Sequence, residues 1–224
     1  MPRRPSTARK PAGRYHHGEL RHALLDAAAA VVEREGIGAL SLRELARRLG
    51  VSHAAPAHHF ADRTALLAAL AADGYARFGA ALADAARRER DPFERLFAVG
   101  RAYVQFALDH PGRFRVMFGR ELSELDPPPC PPEPEGGAAW QVLLDTVRGV
   151  LEVTAPERRA DAEGVAFACW ATVHGAAMLW LDGPLRAALP PAEARARFEA
   201  GLEASLAMIG AALRAPGRPP PRRR

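Results

Sequence analysis

The 224-residue sequence predicts an all-α protein with about nine helices. Apolar residues recur with the 3.6-residue period of amphipathic helices along most of the chain, and no useful stretch alternates as a β-strand does. Proline and glycine stand where helices would begin and end. A content of 48% hydrophobic residues is sufficient for a buried core in a chain of this length.

Two short helices joined by a tight turn are predicted near the N-terminus. The first covers 42–49 and ends at Gly50, and the second covers 52–59. The connection is too short for antiparallel packing, so the pair is a helix-turn-helix. An amphipathic helix over 18–36 precedes it and supplies a surface for its core.

Several polar residues are placed to begin helices. Ser41 and Glu44 have the spacing of a capping box, and Ser52 and Asp62 can cap the helices that follow them. Further helices are predicted over 62–90, from 92, from 111, and over 140–153, 161–181 and 191–213. Residues 126–137 contain six prolines and no periodicity, which predicts a loop.

Positive charge is concentrated at the two ends of the chain. Residues 1–64 contain 11 Lys+Arg and 6 Asp+Glu, residues 65–212 contain 15 and 20, and residues 213–224 contain 5 and none. A basic N-terminal block favours a polyanionic partner for that block, and the alternative is a pair of solvated tails. We expect a basic arm (1–15), a helix-turn-helix domain (16–63), a larger helical domain (64–213) and a basic tail (214–224).

One apolar segment has the minimum length of a membrane span. Residues 164–181 carry no formal charge over 18 positions. Thr172 and His174 lie within this segment and no Lys/Arg cluster flanks it, which favours a buried helix of a soluble protein without a membrane partner. The cysteines, Cys130 and Cys169, are too few to cross-link a chain of this size, and no secretory signal pattern is present. We therefore expect a cytoplasmic protein.

Two N-terminal motifs are distinctive: YHHGEL at 15–20 and SLRELARRLGVSHAAPAHHFADRTALL at 41–67. With their helix spacing they resemble the DNA-binding domain of TetR-type (tetracycline-repressor-like) transcriptional regulators. Further on, HPGRFRVMFGREL at 110–122 and WATVHG at 170–175, followed by Leu179, Asp182 and Gly183, are similar to the Trp-His-Gly variety of the family's C-terminal ligand-binding domain.

The sequence departs from the family pattern in the second helix of the pair. Pro56 lacks the N–H that would bond to the carbonyl of Ser52, so the first turn should be loosened or 3₁₀-like. Ala57 stands where the family usually has a tyrosine that contacts phosphate, which puts one phosphate contact in doubt.

The resemblance, with the general geometry of helix-turn-helix recognition, assigns a DNA-binding site. The candidates are His53, Ala54 and Ala57 for base edges, Ser41, Arg43, Ser52, His58 and Arg63 for the sugar-phosphate backbone, and His59 in addition. A core or capping role beside Phe60 explains His59 equally well. A solvated helix face is the alternative for Arg47 and Arg48.

Apolar side chains of the C-terminal part are predicted to line a ligand pocket, because a mostly apolar cavity with few polar groups is typical of small-molecule sites. The candidates are Tyr103, Phe106, Phe114, Met117, Phe118, Trp140, Phe167, Trp170, His174 and Met178. Phe167, Trp170, His174 and Met178 share one helix face. The alternative is that the aromatic residues are simply core and that His174 is structural.

Metal and catalytic chemistry are not predicted. The six histidines of the first 64 residues lack the spacing and the companion ligands of a metal site. No nucleophile motif or phosphate-binding glycine loop is present. The sequence thus predicts neither a cofactor nor an enzyme.

The resemblance implies a homodimer, paired through the last two helices, that binds a palindromic double-stranded DNA operator. It further implies a repressor that leaves the operator when a small-molecule effector binds. One alternative is an architectural DNA-binding protein that needs no ligand. The other is an all-α enzyme that uses His174 and nearby carboxylates.

Overall fold

The computed structural model describes residues 17–119, 135–183 and 188–215, and these contain eight α-helices and no β-strand. The helices are α1 (His17–Glu35), α2 (Leu42–Leu49), α3 (Arg63–Arg88), α4 (Pro92–Asp109), α5 (Pro111–Phe118), α6 (Glu135–Thr154), α7 (Ala162–Leu181) and α8 (Pro191–Arg214). Three short 3₁₀ segments cover Ile37–Ala39, Ala55–His58 and Pro156–Asp161. The all-α class is confirmed, and eight helices among the described residues are consistent with the predicted number of about nine; the segment over 52–59 is not an α-helix.

Several predicted helix ends are confirmed. The Asp62 carboxylate accepts a hydrogen bond from Ala65 N at 2.7 Å and so caps α3. Asp91 caps α4 in the same way, with Pro92 in its first turn. Gly50 ends α2 with φ of 66°, a left-handed conformation that glycine adopts without steric cost.

The predicted capping box at the start of α2 is wrong. Ser41 makes no side-chain capping hydrogen bond. The Glu44 carboxylate instead accepts from Arg47 at 2.6 Å and from Arg48 at 2.7 Å. Charged donors hold a carboxylate more strongly than a neutral backbone N–H does, and the bonds from Arg47 and Arg48 lower the pKa of Glu44 to about 2.

Helix α6 begins earlier than predicted. Residues 135–137, assigned to a loop, are helical, while 126–134 lie outside the described residues. A Cβ added at Gly79 of α3 would lie only 3.7 Å from Ala138 and Ala139, so the start of α6 packs closely on α3. This tertiary contact outweighs the poor helix propensity of the glycine pair that precedes it. The predicted arm over 1–15 also lies outside the described residues.

Buried apolar residues form two clusters, and α3 contributes to both. Leu66 and Leu70 pack in an N-terminal cluster with α1 and α2, while Phe78 and Leu82 pack in a C-terminal cluster with α4 and α6–α8. The 26 residues of α3 correspond to a rod about 39 Å long. A single continuous helix therefore joins the helix-turn-helix to the C-terminal bundle.

Helix α5 lies between the two clusters. A Cβ added at Gly112 would lie 2.1 Å from the carbonyl oxygen of Ala29, so α5 contacts the α1 backbone directly. The next residue, Arg113, is 7% exposed and forms ion pairs with Asp26 of α1 and Asp73 of α3. Helices α1, α3 and α5 are thus tied together by one guanidinium group.

Two segments, Arg63–Arg88 and Pro156–Leu181, are long and apolar enough to cross a membrane by length and composition alone. Both pack in the helical bundle, α3 on both clusters and α7 along one face. The other face of α7 exposes Phe167 and Leu179 by 58% and 62%. The expectation of a buried helix over 164–181 therefore holds for only one side of α7.

Candidate DNA-binding and ligand-binding sites

The helix-turn-helix is built around the tight turn after α2. Leu45 and Ala46 are fully buried, and Phe60 is 3% exposed. The N–H of Val51 donates to the carbonyl of Ala46 at 3.1 Å and closes the turn. This packing fixes the direction of residues 52–59, which we call the recognition segment.

The recognition segment is a turn followed by a 3₁₀ segment, so the prediction of an α-helix over 52–59 is wrong. Ala55 N donates to Ser52 O at 3.0 Å and Ala57 N donates to Ala54 O at 3.2 Å, the i to i+3 pattern of a 3₁₀ helix. Pro56 has no N–H for the Ser52 carbonyl, and the expected 3₁₀ character is confirmed. Ser52 therefore contributes its carbonyl here and is not a side-chain cap.

Eight of the nine candidate DNA-contacting residues are exposed: Ser41, Arg43, Ser52, His53, Ala54, Ala57, His58 and Arg63. They lie at the start of α2, in the recognition segment and at the start of α3. His59 is half-buried, with its ring centroid 6.4 Å from that of Phe60. Their contacts with DNA remain a prediction.

The arginines of this region differ in their partners. Within the part of the chain that the structure describes, Arg43 has no ion pair or hydrogen bond, whereas Arg47 and Arg48 are paired with Glu44. Arg63 donates from Nη2 to Ile37 O at 2.7 Å and from Nε to Leu40 O at 3.2 Å. Arg63 therefore holds the segment before α2 against the start of α3, a structural role that the sequence did not reveal.

This difference leads to a test with two arginines on one face of α2. We expect Arg43→Ala to weaken binding to every DNA sequence and to lower the slope of log affinity against log salt by about 0.9, the value for one lost phosphate contact. Arg47→Ala is the control, because its charge is already opposed by Glu44. Fluorescence anisotropy at several salt concentrations measures both slopes, and equal effects of the two variants would contradict the assignment of Arg43.

A cavity of about 320 Å³ lies in the C-terminal bundle among α3, α4, α5, α6, α7 and α8. Four predicted residues lie on its wall: Tyr103, Phe118, Trp140 and Trp170. Residues that sequence reasoning missed complete the wall, among them Phe78, Leu96, Phe97, Gly100, Cys169, Val173, Leu206 and Ile209. Burial raises the pKa of the Cys169 thiol to about 11, so this thiol is protonated near neutral pH.

Six predicted pocket residues do not line the cavity: Phe106, Phe114, Met117, Phe167, His174 and Met178. Phe106, Phe114 and Met117 are core residues with at most 5% exposure. Phe167 shares the predicted face with Trp170, but that face turns toward solvent at Phe167. The core alternative was therefore correct for three of these residues.

A short hydrogen-bond chain connects the cavity wall to His174. The Trp170 Nε1–H donates to the Tyr103 hydroxyl oxygen at 3.0 Å, and that oxygen lies 2.8 Å from His174 Nδ1. Burial lowers the pKa of His174 and raises the pKa of Tyr103. The tautomer of His174 determines which of these two groups donates the hydrogen bond.

Both parts of the chain match families of known regulators. The family model described as "Bacterial regulatory proteins, tetR family" matches residues 24–70, and the one described as "Tetracyclin repressor-like, C-terminal domain" matches residues 96–205. This chain belongs to the TetR family. TetR-family proteins are DNA-binding transcriptional regulators, and the predicted family is confirmed; the Trp-His-Gly variety remains a prediction.

Individual relatives agree with this membership. The TetR-family chain is 29% identical over 95 residues to an uncharacterised HTH-type transcriptional regulator, YobS of Bacillus subtilis, and the match spans 49% of that regulator and 42% of this chain. A solved structure of a protein of unknown function from Rhodococcus sp. RHA1 is 36% identical, with a TM-score of 0.64 over 88% of this chain and 98% of that one. A TetR variant from Acinetobacter baumannii in complex with minocycline shares the fold at 22% identity, with a TM-score of 0.55 over 91% of this chain and 100% of that one.

Proposed function

We propose that this TetR-family protein is a cytoplasmic, homodimeric repressor that leaves a palindromic operator when a small, mostly apolar ligand enters the cavity. The observation that supports ligand control most directly is the position of α3. Its first turns belong to the N-terminal cluster, and its residues Tyr75, Phe78 and Leu82 line the cavity. A ligand that displaces these side chains acts on the same helix that follows the recognition segment.

Helix α5 offers a second connection between the cavity and the DNA-binding part. Phe118 at its end lines the cavity, while Gly112 and Arg113 at its start contact α1. The helix has only eight residues, so a shift at Phe118 moves Gly112 with it. The fold of the minocycline-bound TetR variant is the same, which supports a ligand site in this bundle.

The outward faces of α7 and α8 support a homodimer. Phe167, Leu179 and Met208 are 58–72% exposed, although large apolar side chains usually avoid water. Small residues lie between them and permit close helix approach: Ala168, Ala171, Ala176, Ala204 and Ala207. Pairing of these faces about a two-fold axis sets the two recognition segments about 34–36 Å apart, which requires a palindromic operator.

Each of the four proposed segments has its own function. The helix-turn-helix domain (16–63) and the basic arm (1–15) bind DNA. The helical domain (64–213) binds the ligand and pairs with the same domain of the second subunit. The tail (214–224) adds positive charge. Neither metal, cofactor nor catalysis has a part in this proposal.

Selection of bound duplexes from a random pool tests the DNA part of the proposal. We expect a short palindrome whose half-sites lie about one helical turn apart, and a changed half-site for His53→Ala, because base contacts determine sequence preference. Lys10 lies in the basic arm, and Lys10→Ala serves as the control. We expect this variant to bind DNA more weakly and to keep the preferred site. Equal recovery of all sequences would instead indicate an architectural DNA-binding protein.

A further inference from the structure

Arg21 of α1 lies beside the end of the recognition segment. Its guanidinium carbon is 5.3 Å from the ring centroid of Phe60. Phe60 follows the recognition segment directly and is 3% exposed, and its ring centroid lies 6.4 Å from that of His59. The buried Phe60 ring therefore places a guanidinium group of α1 next to residues that are candidates for DNA contact.

The charge of Arg21 is available to an anion from outside the protein. Arg21 is exposed, and over the ranges 17–119, 135–183 and 188–215 its guanidinium has no ion pair and no hydrogen bond. Glu19 lies two positions earlier on α1, and helix side chains at that spacing do not face each other. Asp26, five positions later, is paired with Arg113 of α5.

The contact with Phe60 holds the Arg21 side chain without using its hydrogen-bond donors. A cation over an aromatic ring is attracted by the ring quadrupole, so the five N–H groups of the guanidinium remain available for phosphate oxygens. A side chain that is already held in place also loses less conformational entropy when it binds.

The position of Arg21 determines which part of the DNA it reaches. A recognition segment occupies the major groove, and the residues that flank it meet the sugar-phosphate backbone. We propose that Arg21 donates to a phosphate beside the groove that the recognition segment occupies, and that the DNA-binding surface thereby extends onto α1. This inference rests on the proposed function, since it adds a residue to the same DNA interface.

The salt dependence of DNA binding by the full-length protein tests this role. We expect Arg21→Met to weaken binding to every duplex and to lower the slope of log affinity against log salt by about 0.9 for each bound subunit. Arg21→Lys keeps the positive charge, so we expect it to retain most of the slope. Fluorescence anisotropy with a labelled duplex that carries the selected operator, at about 50–200 mM NaCl, measures these slopes.

Arg34→Met is the matched control. Arg34 is also an exposed arginine of α1 without an ion pair among the residues that the structure describes, and it lies 13 positions from Arg21, about 20 Å along the helix. The control removes the same charge from the same helix, and we expect it to keep the wild-type slope. An unchanged slope for Arg21→Met, or equal losses of slope in the two variants, would overturn the proposal.

Ethylation interference identifies the phosphate directly. We expect one phosphate in each half-site whose ethylation weakens binding of the wild-type and Arg34→Met proteins but not of Arg21→Met. The same set of interfering phosphates in all three proteins would overturn the proposal. Arg21→Gln is measured in parallel, and failure of both Arg21→Met and Arg21→Gln to fold would give Arg21 a structural role instead.

The outcomes separate this inference from the function on which it rests. Failure of the wild-type protein to bind any duplex would overturn the proposed function, and the role of Arg21 with it. Wild-type binding whose salt dependence and interfering phosphates are unchanged in Arg21→Met would overturn only the role of Arg21.

Discussion

Replacement of Ala171 by Glu is expected to abolish operator binding by separating the homodimer. Ala171 lies on the exposed face of α7, next to the exposed Phe167. A two-fold axis brings this face onto its own copy, so each dimer would bury two carboxylates without counterions. Unpaired buried charges cost several kcal/mol, and a loss of about 4 kcal/mol weakens association about a thousandfold.

Light scattering after gel filtration gives the mass of this variant, and a gel-shift titration with the selected operator gives its affinity. The matched control is Ala80→Glu, which adds the same charge at an exposed position of α3. We expect the control to remain dimeric and active. An Ala171→Glu protein that stays dimeric and binds the operator normally would place the interface elsewhere.

Replacement of Arg113 by Met is expected to lower stability by about 3 kcal/mol, since breaking a buried ion pair leaves its partners uncompensated. For a protein of this size that corresponds to a fall in melting temperature of about 6–12 °C. Arg113 is 9% exposed at its side chain and donates to Asp73 at 2.9 Å, and Asp73 is itself only 15% exposed. Differential scanning calorimetry measures the change.

The control for this prediction is Arg77→Met, which removes the other guanidinium on Asp73. Arg77 is 46% exposed, and such surface pairs contribute at most about 1 kcal/mol. Burial opposes ionisation of Asp73, yet the bonds from Arg113 and Arg77 keep its pKa below the ordinary value. This stabilisation is therefore present at neutral pH and is lost as the pH falls through the folded-state pKa. Equal losses of stability in the two variants would contradict the special role of Arg113.

Local signals predicted much of the fold. The caps at Asp62 and Asp91 and the end of α2 at Gly50 depend on residues within one helical turn, so the sequence alone identifies them. The same holds for Pro56, whose missing N–H accounts for the 3₁₀ recognition segment. The sequence analysis expected Pro56 to loosen only the first turn, whereas no α-helix forms over 52–59.

Other features depend on competition between neighbouring side chains or on contacts between distant residues. Glu44 has the spacing of a capping box, but arginines compete for its carboxylate. Arg63 resembles a phosphate contact, yet it binds backbone carbonyls more than 20 residues away in sequence.

The cavity shows the same limit. Tyr103 and Trp170 were predicted on its wall, whereas Leu206 of α8 was missed. Helical periodicity shows that a helix face is buried, but it does not show whether that face lines a cavity or packs in the core. The α4 positions Leu96, Gly100 and Tyr103, spaced one turn apart, were a signal that could have been used.

The central claim is that a ligand in the cavity and the operator weaken each other's binding to the protein. Thermodynamic linkage tests this claim directly. The affinity of a ligand identified by thermal-shift screening of the free protein is measured by calorimetry for the free protein and for the protein saturated with its selected operator. Because coupling between sites is reciprocal, we predict that operator weakens ligand binding at least about fivefold and that ligand weakens operator binding by the same factor. Equal ligand affinity for the free and the operator-bound protein would contradict control of DNA binding by this cavity.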